Sequence, residues 1–249
     1  MKNTPLLTHT TPRHAFLHAR AAAALLSAFI VLLLIVQQAA PTEIDRTLAR
    51  KIQAIPWGSF AFIPSWGSEI GGGLVGFYVA PILLAASLAY LRRWRLLLLL
   101  LGVVVLHYAL ISPKLFIEAY RPSPRFGVEG GGGLSSFPSG HVQWTVSFWG
   151  FVALLAWRFA PERWRPAILV AYPTLVASAM LGRIELGKHW PVDTLAGLIA
   201  GVIALNLIIA AQVWLNPTPQ PATQPLQRSQ GAVRTSHPPH PQSRRDFAG

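Results

Sequence analysis

The sequence predicts an all-α polytopic membrane protein, a bundle of six spanning helices, and three observations predict it. The 249-residue chain is 52% hydrophobic and only 12% charged, about half the charged fraction of an ordinary soluble domain. Six apolar runs, Ala21 to Val36, Gly71 to Leu91, Leu96 to Ser112, Val142 to Trp157, Pro166 to Leu181 and Thr194 to Leu215, approach or reach the roughly 20 residues that a spanning helix needs. Lys and Arg are also segregated between alternate connections, as expected where loops alternate across a bilayer.

The first run could instead be a signal peptide, because Lys2, Arg13 and Arg20 precede it. The long preceding region, Gln38 where a cleavage site wants a small residue, and Pro41 after Ala40 favour a retained helix. Residues 1–20 then form an N-terminal arm, 21–215 the membrane domain, and 216–249 a tail rich in Pro, Gln, Ser and Thr that is expected to be disordered. The tail histidines His237 and His240 are read as solvated.

Arg92, Arg93 and Arg95, then Arg158, Arg163 and Arg165, then the tail arginines share one side with the N-terminus. That side holds 13 of the 21 Lys and Arg against the acids Glu162 and Asp246; the other holds 8 against 7 acids. The basic side is expected to be cytoplasmic, with both termini there. The net charge of +12 is thereby mostly an orientation signal, so it does not call for a nucleic-acid partner. With no cysteine in the chain, disulfides and thiolate metal sites are excluded.

Thr42 and Asp45 begin a capping pattern, followed by Ile44, Leu48 and Ile52 at helical spacing. A short helix on the outer membrane surface is expected there within Pro41 to Ser68, with Trp57 and Trp66 at the interface and no chemistry assigned. Gly72 and Gly76, and Gly197 and Gly201, form small-xxx-small pairs suited to close helix packing. His107, midway along the third run, reads as a hydrogen-bonded interior histidine.

Three clusters on the outer side carry chemistry. Lys114 and Arg121 are seven residues apart, two turns if the third helix continues, so both are expected on one face, with Pro122 ending the helix. Alone they could be interfacial residues paired with Glu118. In "FPSGHV", Phe137 to Val142, a tight turn precedes the fourth helix. Free N–H groups and the positive dipole end lie there, beside the Ser139 hydroxyl, the Gly140 backbone and the His141 ring. In "GRIELGKHWPVD", Gly182 to Asp193, Pro191 suits the first turn of the sixth helix. The four-residue spacing lets Asp193 reach one ring nitrogen of His189, leaving the other as nucleophile or base. Arg183 adds a planar donor fork matched to phosphate, while Lys188 and Glu185 read as solvated.

Together these residues specify an anion site with a nucleophile, an orienter and a second proton carrier. Lys114-x6-Arg121-Pro122, Pro138-Ser139-Gly140-His141 and Arg183-x5-His189-x3-Asp193 resemble the three-part signature of the type 2 phosphatidic acid phosphatase superfamily, which includes vanadium haloperoxidases. The motifs span Lys114 to Asp193; Gly182 departs from the Ser often found before the arginine, which puts the strength of phosphate binding in question.

The resemblance implies that His189 attacks phosphorus to form a phosphohistidine and Asp193 orients it. It implies that His141 protonates the leaving oxygen and then activates water. Lys114, Arg121, Ser139, Gly140 and Arg183 would hold the phosphoryl oxygens. No cofactor is expected, because three fixed cations stand where related chemistry often uses magnesium. The implied activity is hydrolysis of a membrane lipid phosphate or diphosphate at the outer face of the inner (plasma) membrane, with undecaprenyl diphosphate, phosphatidate and phosphatidylglycerophosphate as alternatives. A lipid phosphotransferase and a non-catalytic anion-binding protein remain the other readings, a soluble haloperoxidase fits least, and the oligomeric state stays open. The run Gly130 to Gly133 is expected to give the connecting loop flexibility and to let it act as a lid over the headgroup.

Overall fold

The computed structural model describes residues 12–37, 41–122 and 135–215. The glycine run, the loop around it and the C-terminal tail, with the expectations placed on them, lie outside the described residues. Those described are helical and contain no strand. In chain order the helices are α1 (Pro12–Gln37), α2 (Glu43–Gln53), α3 (Phe62–Gly72), α4 (Ala80–Tyr90), α5 (Trp94–Ile111), α6 (Gly140–Trp144), α7 (Gly150–Phe159), α8 (Arg165–Glu185) and α9 (Pro191–Leu215). A wide π turn, Val75–Val79, joins α3 to α4, and another, Thr145–Trp149, joins α6 to α7.

Among the described residues, five helical stretches are long and apolar enough to cross a membrane: Pro12–Gln37, Gly58–Tyr90, Trp94–Leu115, Glu162–Glu185 and Pro191–Leu215. The remaining expected span corresponds to α6 through α7, which occupies the interior, with Val142, Trp144, Phe148 and Phe151 buried. The second span is longer than its apolar core indicates, because helical structure begins at Gly58 where the sequence reading placed an outer loop. Small residues explain the difference. Gly67 crosses α8 so closely that a Cβ there would strike Ser178, and one at Gly71 would strike Thr145. Close backbone packing replaces the large apolar side chains on which a hydropathy reading depends.

The irregular turns free backbone carbonyls, which in a membrane must find donors. Trp144 Nε1 donates to Gly76 O at 2.7 Å, Trp149 Nε1 to Ile70 O at 3.0 Å, and the Tyr172 hydroxyl to Val146 O at 2.9 Å. His107 is buried against Trp144 and Phe77 and hydrogen-bonded to Gln143, as an interior histidine should be.

Gly197 and Gly201 do what their spacing predicts. A Cβ on Gly197 would stand 2.6 Å from Ser139 O, and one on Gly201 would overlap Val146. Helix α9 therefore lies directly on the turn that opens α6. Gly182, where the resemblance leads one to look for Ser, has the same kind of reason: its missing Cβ would run into the Pro64 carbonyl of α3.

Gly182→Ser is expected to destabilise the fold. Overpacking of this kind costs about 1–3 kcal/mol, and a domain of this size loses roughly 2–4 °C of Tm per kcal/mol. A thermal melt in detergent checks this; an unchanged or raised Tm would show that the α3–α8 crossing yields to a hydroxymethyl group.

Candidate active site

The site is assembled from the C-terminal ends of α5 and α8 and the starts of α6 and α9. Helix α5 stops at Ile111 and tightens into a 3-10 turn, Ser112–Leu115; residues 117–122 are not helical. Lys114 and Arg121 thus do not share a helical face, contrary to the spacing argument. Pro113 disrupts the α-helical pattern before the chain reaches Arg121. The two cations nevertheless arrive at one place by separate routes. Lys114 Nζ donates to Ser135 O at 2.8 Å and Ser136 O at 3.1 Å. Arg121 Nη1 donates to Lys188 O at 2.8 Å, which binds this segment to the loop carrying His189. Trp190 Nε1 strengthens the same junction through Tyr120 O at 2.8 Å.

The turn before α6 passes through a cis peptide between Phe137 and Pro138. Ser139 is extended (φ −71°, ψ 104°) and fully buried, and its hydroxyl makes no capping bond. Its N–H donates to Asp193 O at 3.0 Å. Gly140 then begins the helix, and the next residue, His141, sets its ring edge-on against Phe77 at 5.2 Å. A Cβ on Gly72 would stand 2.9 Å from that ring, so a glycine in α3 makes room for the histidine.

Arg183 lies in the last turn of α8 and donates Nη1 to the buried Ser68 hydroxyl at 3.3 Å. Its Nε and the Ser139 Oγ are buried with no hydrogen-bond partner among the described residues. Unpaired buried polar atoms are costly, and these two are donors available to an acceptor.

His189 is 2% exposed and Asp193 1%, which rules out treating them as a solvated surface pair. Four-residue spacing brings Asp193 Oδ2 to 3.6 Å from His189 Nδ1. That is beyond ordinary hydrogen-bond length but close enough to orient the ring. The same carboxylate oxygen accepts the Trp190 N–H at 2.9 Å, and the Ser136 hydroxyl bonds Asp193 as well. Burial first, and then the charges of Arg183, Lys114 and Arg121, hold the His189 imidazole well below its usual titration range. It is therefore neutral near pH 7. With Nδ1 turned to Asp193, Nε2 keeps its lone pair for use as a nucleophile.

Lys114, Arg121, Arg183 and His141 thus lie within electrostatic reach of His189, and Ser139 is bonded to Asp193, although Lys114 and Arg121 arrive there for a different reason than the spacing argument gave. Sequence reasoning passed over Ser68, Ser136 and Asp45, whose partners are distant in the chain. Asp45 is buried in α2 and its Oδ1 accepts the Val192 N–H at 2.9 Å.

The model of the PAP2 superfamily matches residues 17–217. The chain belongs to the PAP2 superfamily. It is 40% identical over 79 residues to a protein of Escherichia coli (strain K12) named "Putative undecaprenyl-diphosphatase YbjG". That match covers 32% of this chain and spans about a third, 35%, of the relative's length. Among solved structures, a transmembrane PAP2 type phosphatidylglycerolphosphate phosphatase from Bacillus subtilis has the same fold. The TM-score is 0.67 at 19% identity, covering 78% of this chain and 97% of that one. This PAP2 chain is a multi-pass membrane protein.

The depressed titration of His189 gives a stability prediction with a definite sign. An unfolded histidine takes a proton near pH 6.5, whereas the folded His189 does so only well below that. Its contribution is therefore intact above about pH 6.5 and lost as pH falls, by up to about 1.4 kcal/mol per unit. Thermal melts between pH 7.5 and 5 should show a shallower acid decline for His189→Gln than for the unaltered protein; equal slopes would mean that His189 is protonated in the fold.

Proposed function

We propose that this PAP2 protein hydrolyses a lipid phosphate or diphosphate through a phosphohistidine on His189, without a metal. The observation that carries the proposal is the gathering of three cations, Lys114, Arg121 and Arg183, around a buried neutral histidine oriented by Asp193. Phosphoryl transfer spreads negative charge over three equatorial oxygens, and catalysis consists mostly of positioning and neutralising that charge. Three fixed cations, the Ser139 hydroxyl and the Gly140 amide supply the donors.

His189 Nε2 attacks phosphorus, and the bond from phosphorus to the leaving oxygen breaks as the N–P bond forms. Protonated His141 gives its proton to the leaving oxygen. Neutral His141 then takes a proton from water, the resulting hydroxide displaces Nε2 from phosphorus, and inorganic phosphate departs with both histidines restored. Within each turnover water is consumed once and no net proton is held by the protein.

A lipid substrate is favoured by what lies beneath the site. An apolar cavity of about 450 Å³ lies along α4 and α5, lined by Phe77, Ile82, Leu97, Leu101, Val104 and Trp144 among others. Phe77 touches both the ring of Trp144 in this lining and that of His141. A phosphate at the helix mouths and a hydrocarbon chain in the cavity would then belong to one molecule. The names of the relatives favour undecaprenyl diphosphate and phosphatidylglycerophosphate as first substrates to try. The basic connections favour both termini in the cytoplasm and the site on the outer face of the inner membrane.

Purified protein in detergent with a chelator is expected to release phosphate from at least one of undecaprenyl diphosphate, phosphatidate and phosphatidylglycerophosphate. His189→Ala should reduce release by about 10³-fold or more, as removal of a covalent nucleophile does. Activity lost to the chelator and restored by magnesium would overturn the metal-free reading. Full activity in His189→Ala would overturn the nucleophile assignment, and no release from any of the lipids would overturn hydrolysis.

A further inference from the structure

Helix α2 takes no part in the steps above, yet it grips the loop that bears His189 at both ends. Gln53 Nε2, at its C-terminal end, donates to Ile184 O at 3.1 Å, beside Arg183. Near its start, Asp45 Oδ1 accepts the Val192 N–H at 2.9 Å, beside Asp193. The other Asp45 oxygen accepts the Thr42 hydroxyl at 2.8 Å, and the Asp45 N–H donates back to Thr42 Oγ1 at 3.1 Å.

Helix α2 turns its polar face inward. Ile44 is 72% exposed and Leu48 43%, while Asp45 is 4% exposed. Exposed apolar residues suit a helix lying on a membrane surface, and they leave Asp45 facing the loop that bears His189. Burying a carboxylate is costly unless its oxygens are bonded, and here both are.

Its target is also particular. At the start of α9, Pro191 has no N–H, the Trp190 N–H is taken by Asp193, and the Val192 N–H is taken by Asp45. Two carboxylates thus divide the opening of one helix. Asp193 spends one oxygen locally and faces His189, and Asp45 holds the turn on which Asp193 stands. A small cavity of about 30 Å³ is lined by Thr42, Asp45, Tyr120, Ser136, Trp190 and Asp193 among others, so the two acids border the same space.

We propose that Asp45 is a positioning residue for the phosphoryl transfer assigned to His189, and this inference rests on that assignment. By anchoring Val192 it fixes the first turn of α9 and hence the 3.6 Å approach of Asp193 to His189. Displacing a catalytic group by about 1 Å can cost on the order of 100-fold in rate, so Asp45 acts on kcat rather than on lipid binding.

The test compares wild type, Asp45→Ala, Asp45→Asn and Asp45→Glu in detergent, measuring kcat, KM and Tm on whichever of the three lipids the wild type hydrolyses fastest. Asp45→Ala is expected to lower kcat about 10–100-fold with KM within about threefold. Asp45→Asn, whose amide oxygen still accepts the Val192 N–H, should recover most of kcat. Asp45→Glu keeps the charge but pushes the turn by a methylene; it should fold and lose about tenfold in kcat, which keeps the test decisive if Asp45→Ala does not fold. Wild-type kcat in Asp45→Glu, equal loss in the Asn and Ala variants, or a loss confined to KM would overturn the positioning role. Absence of release from the wild type would instead overturn the phosphatase reading and this inference together.

Discussion

The hydrogen bond from Ser139 N to Asp193 O, 3.0 Å long, joins the turn that opens α6 to the first turn of α9, and the remainder of the site is arranged around that junction. It forms only because α9 can lie directly on the turn, which the bare Cα of Gly197 allows. Gly201 continues the contact one turn further along, against Val146. The segment carrying Ser139, Gly140 and His141 and the segment carrying His189 and Asp193 are 52 residues apart in sequence, counting from Ser139 to Pro191. Through this junction they become one rigid piece, which is what positional catalysis requires.

Three like charges then stand around that piece, and the partners they use are informative. Lys114 rests on the carbonyls of Ser135 and Ser136, Arg121 on that of Lys188, and Arg183 on the Ser68 hydroxyl. The acceptors of Lys114 and Arg183 named here are neutral. A hydrogen bond from a cation to a neutral acceptor orients the side chain without cancelling its charge, whereas a carboxylate partner would cancel it. The carboxylate 3.6 Å from His189, that of Asp193, is itself engaged by Trp190 and Ser136. The positive field therefore remains directed at the histidine and at any anion beside it, in surroundings where burial strengthens it.

Much of this was legible in the chain because its geometry is local. The four-residue step from His189 to Asp193 and the proline opening α9 fix their relation within a single turn, and small-xxx-small spacing announces where α9 approaches its neighbour. Lys114 and Arg121 were expected on one helical face, but the spacing argument needed a continuous helix, and Pro113 sits where that continuity fails; the two come near His189 by separate routes. The beginning of the second span was missed because Gly and Ser there pack backbone against backbone and leave little hydropathy to detect. Asp45 presented itself as the acid of a capping pattern, and it is one; that its other oxygen reaches Val192, 147 residues further on, has no local signature.

The irregular parts of the bundle serve the same site. A regular helix through 75–79 and 145–149 would keep every carbonyl inside its own ladder. The π turn at 75–79 instead releases the Gly76 carbonyl, which Trp144 satisfies, while Tyr172 adds a second donor to the Val146 carbonyl that already accepts the Gly150 N–H. Those bonds fix Trp144 against Phe77, with ring centroids 5.3 Å apart, and Phe77 in turn against His141 at 5.2 Å. Aromatic rings are thereby locked between His141 and the apolar cavity, where the proposed lipid would change from headgroup to chain. An enzyme that works at this boundary has to exclude the hydrocarbon from its polar donors while keeping both parts of the substrate in register. A wall held by indole-to-backbone bonds performs both tasks, because it is rigid in position and apolar on the faces it presents.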